Sequence, residues 1–356
     1  MTCNVLVLHA YSADNFGDGL LVEESLSVVR QSVGKQVEFT VCASYPDTFD
    51  LAGVRLISSR PRNGLYGASY LNVLRRINTF DLVIAVGGGY LRAGSGKEAV
   101  KMLLVHGPQL FAASRTTVPV VYFPQSVGPL SVVSRNLVRS LLRRVDLIAL
   151  RDDRSVDEVQ LDNVTRLPDL AIMTARELPQ GRSSMAPNRV PVLSVRPVGG
   201  AVPALVKQLA TTLGEFDGFV QSETGSNRDG VSMAELRPRR ILSQSELMYP
   251  VAGSETRVVV AVRLHAALMA LRAGHLVIHL AYERKGFGAF QDLGLQSFVH
   301  NVNMFEPELV IEQVRLLRTD AGYREIYQRT ALDGFRSAAK GLGTLVSEVS
   351  TLAGNI

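Results

Sequence analysis

The sequence lacks most features that mark secreted, metal-binding or membrane-spanning proteins. It has 356 residues but only two cysteines, Cys3 and Cys42, and no tryptophan. Two cysteines without metal-ligand spacing provide neither a disulfide framework nor a zinc cluster, which suits a reducing cytosol. The longest apolar runs, such as residues 82–86 and 276–281, are far shorter than the roughly 20 residues that cross a bilayer. We therefore expect a cytoplasmic protein without a transmembrane segment.

The first residues of the sequence are not expected to be a secretion signal. These residues, MTCNVLVLHA, have no basic segment and no small-residue cleavage site, so we expect them to form the first strand. Hydrophobic residues make up 46% of the chain and charged residues 20%, which is ordinary for a globular protein. A chain of this length can form two domains with sizeable cores.

The distribution of charge argues against nucleic acid as a partner. The formal net charge is +5 and the pI is about 9.3. Arginine is scattered, and the densest basic patches, at residues 60–62, 139–144 and 237–240, have no interleaved aromatic residues. Nucleic acid is therefore not an expected partner. Mild basicity favours anionic substrates, and it leaves open a peripheral association with the inner face of a charged membrane where an acceptor resides.

Short apolar runs alternate with helical patterns along the chain. Strands are predicted over residues 4–9, 36–43, 81–86, 118–123, 147–150, 192–195, 218–221, 241–242, 258–262 and 276–281. Such alternation is typical of parallel sheets with helices on both faces. A Pro-, Gly- and Ser-rich stretch at 179–191 predicts a linker. The expected fold is α/β, with two Rossmann-like domains, 1–180 and 190–356, facing a cleft. The last helix, around 336–352, is expected to pack back on the first domain.

The most informative segment is residues 258–286, in which a strand, a helix and a second strand are predicted in succession. Arg263 and His265 stand where the first strand passes into the helix, and Lys285 follows the second strand. Ligands of open α/β sheets bind at the carboxyl ends of the strands. A helix N-terminus at that edge favours negative charge. This segment therefore predicts a site for an anion, either a phosphate or a carboxylate.

Two glycine-rich segments depart from the standard nucleotide-binding motifs. Residues 17–19 begin a G-x-G, but Val22 stands where the third glycine of a dinucleotide fingerprint belongs. Residues 94–97 look like half of a P-loop, yet its first glycine and its Ser/Thr are replaced. Neither motif is therefore expected to bind a nucleotide. Residues 87–89, three glycines after a strand, permit either a close approach of the backbone to a ligand or a tight turn.

Several short motifs, taken in order, resemble those of the polysaccharide pyruvyl transferase family. They are Asn15-Phe16-Gly17-Asp18, Gly87-Gly88-Gly89, PQSVGP at 124–129, Leu150-Arg151-Asp152 with Ser155, Asp169, Val195-Arg196, Arg263-Leu264-His265 and Tyr282-x-x-Lys285. Each motif is short, but their order and spacing over residues 5–295 are specific. Residues 185–254 match poorly apart from Val195-Arg196, so the resemblance does not identify the acceptor.

The resemblance implies a reaction and a fold. Members of the family transfer the enolpyruvyl group of phosphoenolpyruvate to two hydroxyls of a sugar, forming a pyruvate ketal and releasing phosphate. Their fold is glycosyltransferase-B-like. The route needs no metal and no cofactor, because phosphoenolpyruvate is a co-substrate. The implied acceptor is a sugar of a cell-envelope polysaccharide or a glycolipid, and lipid linkage is left open.

The resemblance also implies roles for individual residues. His265 is the expected general acid, since histidine exchanges protons near neutral pH. Arginine binds phosphate and carboxylate through two parallel hydrogen bonds, which suits both ends of phosphoenolpyruvate. The expected substrate-binding residues are Arg263, Lys285, Arg151, Asn15, Asp18, Gly88, Gly89 and Tyr282.

The two arginines also have structural interpretations. Arg263 could form an ion pair within the fold, for example with Glu283. Arg151 could pair with Asp152 or Asp153, which follow it directly. In either case the guanidinium would stabilise the fold instead of binding a ligand.

Four other site residues have alternatives of the same kind. Asp18 could cap the first helix, and His265 could bond only to the backbone at a helix start. Asn15 is a common turn residue, and Lys285 could be solvated on a surface loop. The remaining histidines have no partner pattern and are expected in the core or on the surface: His9, His106, His275, His279 and His300.

Two other functions stay open from the sequence. A glycosyltransferase that uses a nucleotide sugar has the same architecture, and it needs an acidic residue for the ribose hydroxyls. Glu255 and Glu283 are available for that role, although the Tyr-x-x-Lys motif favours pyruvyl transfer. The third function is that of an inactive paralogue that only binds.

Overall fold

The computed structural model describes residues 2–34, 36–175, 186–224, 228–249 and 255–354. The chain divides into two compact units. Unit 1 comprises Met1–Ala13, Asp18–Met173 and Lys340–Ile356, and unit 2 comprises Asp14–Gly17 and Thr174–Ala339. Most of the predicted linker, residues 179–185, lies outside the described residues.

Unit 1 contains a parallel sheet of seven strands and a separate pair of strands. Its strands in chain order are β1 Cys3–Ala10, β2 Val37–Ala43, β3 Arg55–Ser58, β4 Leu82–Ala85, β5 Leu91–Ala93, β6 Val120–Gln125, β7 Val127–Leu130, β8 Leu147–Leu150 and β9 Val164–Arg166. The large sheet has the order β3-β2-β1-β4-β6-β8-β9, and β5 pairs separately with β7. The helices are α1 Phe16–Val33, α2 Ala68–Arg75, α3 Gly96–Val105, α4 Gly107–Ala113, α5 Val132–Leu142, α6 Asp153–Val159 and α7 Leu170–Met173.

Unit 2 has a parallel sheet of six strands. They are β10 Val192–Ser194, β11 Asp217–Phe219, β12 Ile241–Leu242, β13 Val258–Ala261, β14 Leu276–Ala281 and β15 Val299–Asn301. Their order in the sheet is β12-β11-β10-β13-β14-β15. The helices are α8 Ala204–Leu213, α9 Asp229–Glu235, α10 Gln244–Met248, α11 Leu264–Arg272, α12 Arg284–Asp292, α13 Pro307–Thr319 and α14 Ala321–Gly354, and the residues of α14 from Lys340 onward belong to unit 1. Short 3₁₀ helices lie at Pro46–Thr48 and Ile77–Thr79 in unit 1 and at Gln296–Phe298 in unit 2.

The central strands of the large sheet are buried on both faces. Val5–Leu8 of β1 pairs with all of β4 in parallel register, and these residues are fully buried. Strands covered on both faces are almost continuously apolar. Every predicted strand is confirmed, and β8, β12 and β14 have the predicted bounds. Five strands were missed. In the two large sheets these are β3, β9 and β15, which are short and partly exposed, so they form no apolar run. The other two are the short paired strands β5 and β7.

Both the first and the last helix begin earlier than expected. The first helix begins at Phe16, so Asp18 lies inside its first turn and not at its N-cap position, and an acidic side chain there complements the helix dipole. The last helix begins at Ala321, about fifteen residues before the predicted start. Tyr327, Ala331 and Phe335 are buried at helical spacing in this additional part. In the described part of the chain, no helix combines the length and hydropathy needed to span a bilayer.

In unit 2, the buried carboxylate of Asp217 on β11 pairs with arginines that precede β12 and β13. Asp217 is fully buried, and its carboxylate accepts hydrogen bonds from Arg257 at 2.6 Å and from Arg239 at 3.0 Å. Burial alone would raise the pKa of Asp217, but the hydrogen bonds from Arg239 and Arg257 lower it below its ordinary value. A carboxylate with a lowered pKa stabilises the fold above its unfolded-state pKa of about 4, and this contribution is lost as pH falls through the folded-state pKa.

We predict that Asp217→Asn lowers the free energy of unfolding by about 1.5–3 kcal/mol at neutral pH, the range for hydrogen bonds to a charged group. The difference from wild type should shrink below about pH 4. Urea unfolding at pH 7 and pH 3 measures both effects. Asp153→Asn is the matched control, because the Asp153 side chain is 68% exposed in its pair with Arg166 and should contribute less than about 1 kcal/mol. A loss that does not depend on pH would contradict the prediction.

Candidate functional site

The predicted anion site lies in unit 2, at the carboxyl edge of its sheet. Arg263 follows β13 and occupies the N-cap position of α11 with an extended backbone. Its guanidinium is buried and donates two hydrogen bonds to Asp229, from Nε at 2.8 Å and from Nη2 at 2.7 Å. The suggested pairing with Glu283 is therefore wrong. Asp229 is the first residue of α9 and lies 34 residues before Arg263 in the sequence, so sequence spacing does not reveal the pair.

Opposing effects act on the pKa of the Asp229 carboxyl, and the net result is a pKa above its ordinary value. Burial raises the pKa of the Asp229 carboxyl, and the hydrogen bond and charge of Arg263 oppose that increase. The positive charge of Arg196 also opposes it, while the negative charge of Glu223 adds to it. Two arginines therefore lie around one buried carboxylate, and that carboxylate orients the guanidinium of Arg263.

His265 lies in the first turn of α11, half-buried, with its Nε2 atom shielded from solvent. The backbone of Gly17 lies directly against its ring. A Cβ on Gly17 would overlap the Nδ1 and Cγ atoms of His265. Only glycine therefore fits at position 17, and the N-x-G-D motif has a packing reason for its glycine. Two motifs far apart in the sequence meet at this point.

The segment Asp14–Gly17 is held on unit 2 by its backbone. Asn15 forms an isolated antiparallel bridge with Ser222. The Phe16 N–H donates to the Gln221 carbonyl at 3.4 Å, and the Phe16 ring lies 6.2 Å from the ring of Phe219. The structure thus brings Asn15 to the same edge of the sheet as Arg263 and His265.

Tyr282 and Lys285 follow the next strand, β14. The Tyr282 hydroxyl accepts a hydrogen bond from Arg196 at 2.6 Å, and the guanidinium of Arg196 stacks 4.7 Å from the Tyr282 ring. Lys285 lies 2.9 Å from Glu283 and belongs to the first turn of α12, so it is not on a surface loop. Arg196 belongs to the Val195-Arg196 motif, but it was not predicted as a site residue. Its position just after β10 is the signal that would have identified it.

Two buried polar side chains at this edge were missed altogether. Ser194 ends β10, and Gln221 lies just beyond β11. Both are buried, and within the described residues the Ser194 hydroxyl and the Gln221 amide have no hydrogen-bond partner. Most buried polar groups are hydrogen-bonded, and the exceptions are often found at functional sites. Serine and glutamine are too common for the sequence to single them out.

Arg151 lies in unit 1 and has a different environment. It forms a buried ion pair with Asp169 and donates hydrogen bonds to the Gly88 carbonyl at 2.8 Å and the Ser126 hydroxyl at 3.0 Å. The suggested pairing with Asp152 or Asp153 is wrong. Asp152 instead caps α6 by accepting from the Ser155 N–H. A ligand contact by Arg151 stays a prediction, and its three nitrogens already donate to the protein.

The glycine turn after β4 is shaped mainly by packing. A Cβ on Gly87 would overlap the Pro124 carbonyl oxygen, so glycine permits the close approach of β6. The Gly88 carbonyl accepts from the Ser126 N–H at 2.8 Å as well as from Arg151. Substrate binding by Gly88, Gly89 and Asp18 stays a prediction.

Unit 1 also contains a buried cluster of histidine and tyrosine side chains. His9 Nδ1 lies 3.1 Å from His106 Nδ1, and His9 Nε2 lies 3.2 Å from the Tyr122 hydroxyl. The ring of Tyr90 stacks on both imidazoles. Burial lowers the pKa of His9 well below its ordinary value and lowers the pKa of His106 to about 3. Both histidines are therefore neutral at physiological pH, and they have specific partners that the sequence pattern did not reveal.

The other histidines of the described residues have structural contacts. The ring of His275 accepts from the Arg257 N–H at 3.1 Å. His279 bonds to the Ala261 carbonyl, and burial lowers its pKa to about 4. His300 lies 2.8 Å from the side-chain oxygen of Gln313. Among the described residues, no group of three or more histidine, cysteine or acidic side chains could hold a metal ion.

Known structures with a similar fold come from sugar-processing enzymes. A mutant O-GlcNAc transferase of Thermobaculum terrenum is 13% identical, with a TM-score of 0.52 over 99% of this chain and 69% of that chain. The calicheamicin glycosyltransferase is 15% identical, with a TM-score of 0.52 over 100% and 99% of the two chains. The UDP-GlcNAc 2-epimerase of Neisseria meningitidis is 11% identical, with a TM-score of 0.56 over 99% and 100%. These likenesses show the fold alone, and they confirm the predicted glycosyltransferase-B-like class with two Rossmann-like domains.

Sequence comparison then identifies the family. The pattern that defines polysaccharide pyruvyl transferases matches residues 15–214, more than half of the chain, and the protein belongs to this family. Membership makes it a transferase of polysaccharide biosynthesis with a sugar acceptor. No curated protein matches the chain significantly. The matched range ends before Arg263, so the roles of Arg263, His265 and Lys285 rest on the motif resemblance and on the geometry described above.

Proposed function

We propose that the protein transfers the enolpyruvyl group of phosphoenolpyruvate to two hydroxyls of a sugar in a polysaccharide or glycolipid. The observation that carries the proposal is the contact between Gly17 and the ring of His265. This contact joins the N-x-G-D and Arg-Leu-His motifs at the end of a sheet, beside the start of α11. A half-buried proton donor next to a helix N-terminus and an arginine suits an anionic substrate.

The proposed reaction has a simple balance. Two sugar oxygens form bonds to C2 of phosphoenolpyruvate, while the bond from C2 to the phosphate oxygen and the π bond between C2 and C3 both break. The two sugar hydroxyls lose two protons in total. C3 gains one proton and becomes the methyl group, and the released phosphate gains the other. His265 delivers one of these protons. No oxidant, reductant or cofactor is needed, because the carbon skeleton is transferred without a change in overall oxidation state.

The cations at this edge would hold the donor. Asp229 occupies the Nε–Nη2 edge of Arg263, so an anion would approach that guanidinium from its Nη1 end. Lys285 and Tyr282 follow the neighbouring strand and would contact the other charged end of phosphoenolpyruvate. Asn15 lies at the same edge through its bridge with Ser222. The buried Gln221 amide offers further hydrogen bonds to a polar ligand.

Ligand-dependent stability gives the first test. Phosphoenolpyruvate at about 100 times its dissociation constant should stabilise the protein by about 2.7 kcal/mol. Pyruvate and inorganic phosphate are the matched controls, since each carries only one of the two anionic ends. Thermal unfolding with each compound, and with uridine and guanosine diphosphates, measures the selectivity.

Turnover gives the second test. The protein is incubated with phosphoenolpyruvate and a panel of free and lipid-linked glycans, and released phosphate and product mass are measured together. We expect phosphate release to depend on a glycan and to accompany the mass of one pyruvate ketal. Stabilisation by a nucleoside diphosphate but not by phosphoenolpyruvate would favour a nucleotide-sugar glycosyltransferase. Donor binding without turnover on any acceptor would favour a paralogue that only binds.

A further inference from the structure

Three neighbouring helices of unit 1 expose apolar side chains to solvent. α4 contacts both α3 and α5, and we call their exposed face the α3–α5 surface. Its large apolar side chains are Val100, Leu103, Leu104, Phe111, Val132, Val133 and Leu137. Val132 and Val133, at the start of α5, are 72% and 80% exposed. Single exposed apolar residues are normal on proteins, but a group of them on adjacent helices marks an interaction site.

The exposed residues form stripes along their helices. On α5, residues 132, 133, 136, 137 and 140 are exposed, followed by Arg143 and Arg144 at its C-terminal end, which is the spacing of one helical face. On α3, Lys97 and Lys101 share the exposed stripe with Val100 and Leu104. Apolar and basic side chains therefore lie on the same surface.

The charge of this part of the chain has one sign. Residues 99–145 contain no aspartate and no glutamate, but they contain six basic residues: Lys101, Arg115, Arg135, Arg139, Arg143 and Arg144. The rest of the chain carries one more acidic than basic residue, given 38 basic and 33 acidic residues in total. The net positive charge thus arises in the segment that forms the α3–α5 surface, even though individual arginines are scattered throughout the sequence.

We propose that the α3–α5 surface docks the protein on an anionic lipid bilayer. Exposed valine and leucine side chains insert into the boundary between headgroups and acyl chains, and the basic residues bind lipid phosphates. The Arg115 guanidinium already lies 4.2 Å from the Phe111 ring, an arrangement that presents an aromatic ring and a cation together. A second copy of the chain fits this surface poorly, because two surfaces of net positive charge would repel each other. Glu98 of α3 and Glu158, which pairs with Arg135, offset only part of that charge. The inference does not depend on the chemistry at His265.

The test is sedimentation of the full chain with vesicles of phosphatidylcholine, with and without phosphatidylglycerol. We expect binding to the anionic vesicles, weakening as salt is raised. Arg143→Gln with Arg144→Gln should weaken binding about 30-fold, since each basic residue near an anionic surface contributes about 1 kcal/mol. The matched control is Arg329→Gln with Arg336→Gln, two exposed arginines of α14, which should bind as wild type does.

The apolar part of the surface is tested separately. Val132→Ser with Val133→Ser should also weaken binding, whereas Met304→Ser, an 80% exposed residue of unit 2, should not. All these residues are exposed, so the variants should keep wild-type stability within about 0.5 kcal/mol. No binding to anionic vesicles, or equal losses in variants and controls, would overturn the proposal. Light scattering that shows a wild-type dimer, split by the valine variant without loss of vesicle binding, would instead assign the surface to a second copy.

Discussion

Replacement of His265 by glutamine is expected to lower turnover about 10²–10⁴-fold, the usual contribution of a general acid. Glutamine has a similar size and keeps some hydrogen-bonding capacity, but it does not release a proton near neutral pH. Because the ring of His265 packs against Gly17, the substitution should preserve the position of α11. Donor affinity should therefore change much less than turnover.

Turnover and phosphoenolpyruvate affinity of this variant are measured together across pH. His300→Gln is the matched control, since His300 lies on β15 and bonds to Gln313; its turnover should equal that of wild type. Full turnover in His265→Gln would exclude the residue as the acid. An equal collapse of binding and turnover would make His265 a phosphate anchor, and another proton donor would then have to be identified.

The second large effect concerns stability at Arg263. Arg263→Ala leaves the carboxylate of Asp229 buried without its bidentate partner, and we expect a loss of about 3–5 kcal/mol of unfolding free energy. Burial already raises the pKa of Asp229 despite the arginine. The ionised carboxylate therefore disfavours the fold above the folded-state pKa, and the loss should shrink as acidification protonates Asp229 in both states. Urea unfolding at neutral and acidic pH measures this change.

Donor binding by Arg263 needs variants that keep the fold. Arg263→Lys retains the charge but loses the planar fork, and donor affinity should fall by the contribution of one charge-assisted hydrogen bond, about 1.5–3 kcal/mol. Asp229→Asn is the matched control: it removes the negative charge and one of the two acceptor oxygens while leaving the guanidinium, so donor affinity should be kept or increased. Calorimetric titration with phosphoenolpyruvate compares the two. Unchanged affinity in a folded Arg263→Ala protein would remove Arg263 from the site.

The sequence predicted the elements that carry the site because their pattern is local. A buried parallel strand such as β13 is an uninterrupted apolar run, and the polar residues after it mark its carboxyl end. That pattern placed Arg263 and His265 at a strand–helix junction, where the structure has them. Edge strands such as β15, which are half-exposed, have no such run. Their positions depend on pairing with a neighbouring strand.

The sequence did not reveal which residues form ion pairs with each other. Arg263 pairs with Asp229, and Arg151 pairs with Asp169, whereas the expected partners were Glu283 for Arg263 and Asp152 or Asp153 for Arg151. Ion pairs between distant residues form where strand order brings two loops together, and hydrophobic periodicity contains no information on that order. The buried contact between His9 and His106 went unnoticed for the same reason.

By itself, the sequence determined the α/β class, the strands of both sheet centres and the polar residues at their carboxyl ends, because each follows from a local alternation of apolar and polar residues. Tertiary structure decided which of those residues meet. In the folded chain, Gly17 lies against His265. Arg263 and Arg151 each pair with a buried carboxylate. The Gln221 amide is buried at the edge of the second sheet. The physical reason is that burial and pairing depend on which strands become neighbours, and a local alternation of apolar and polar residues does not specify the strand order.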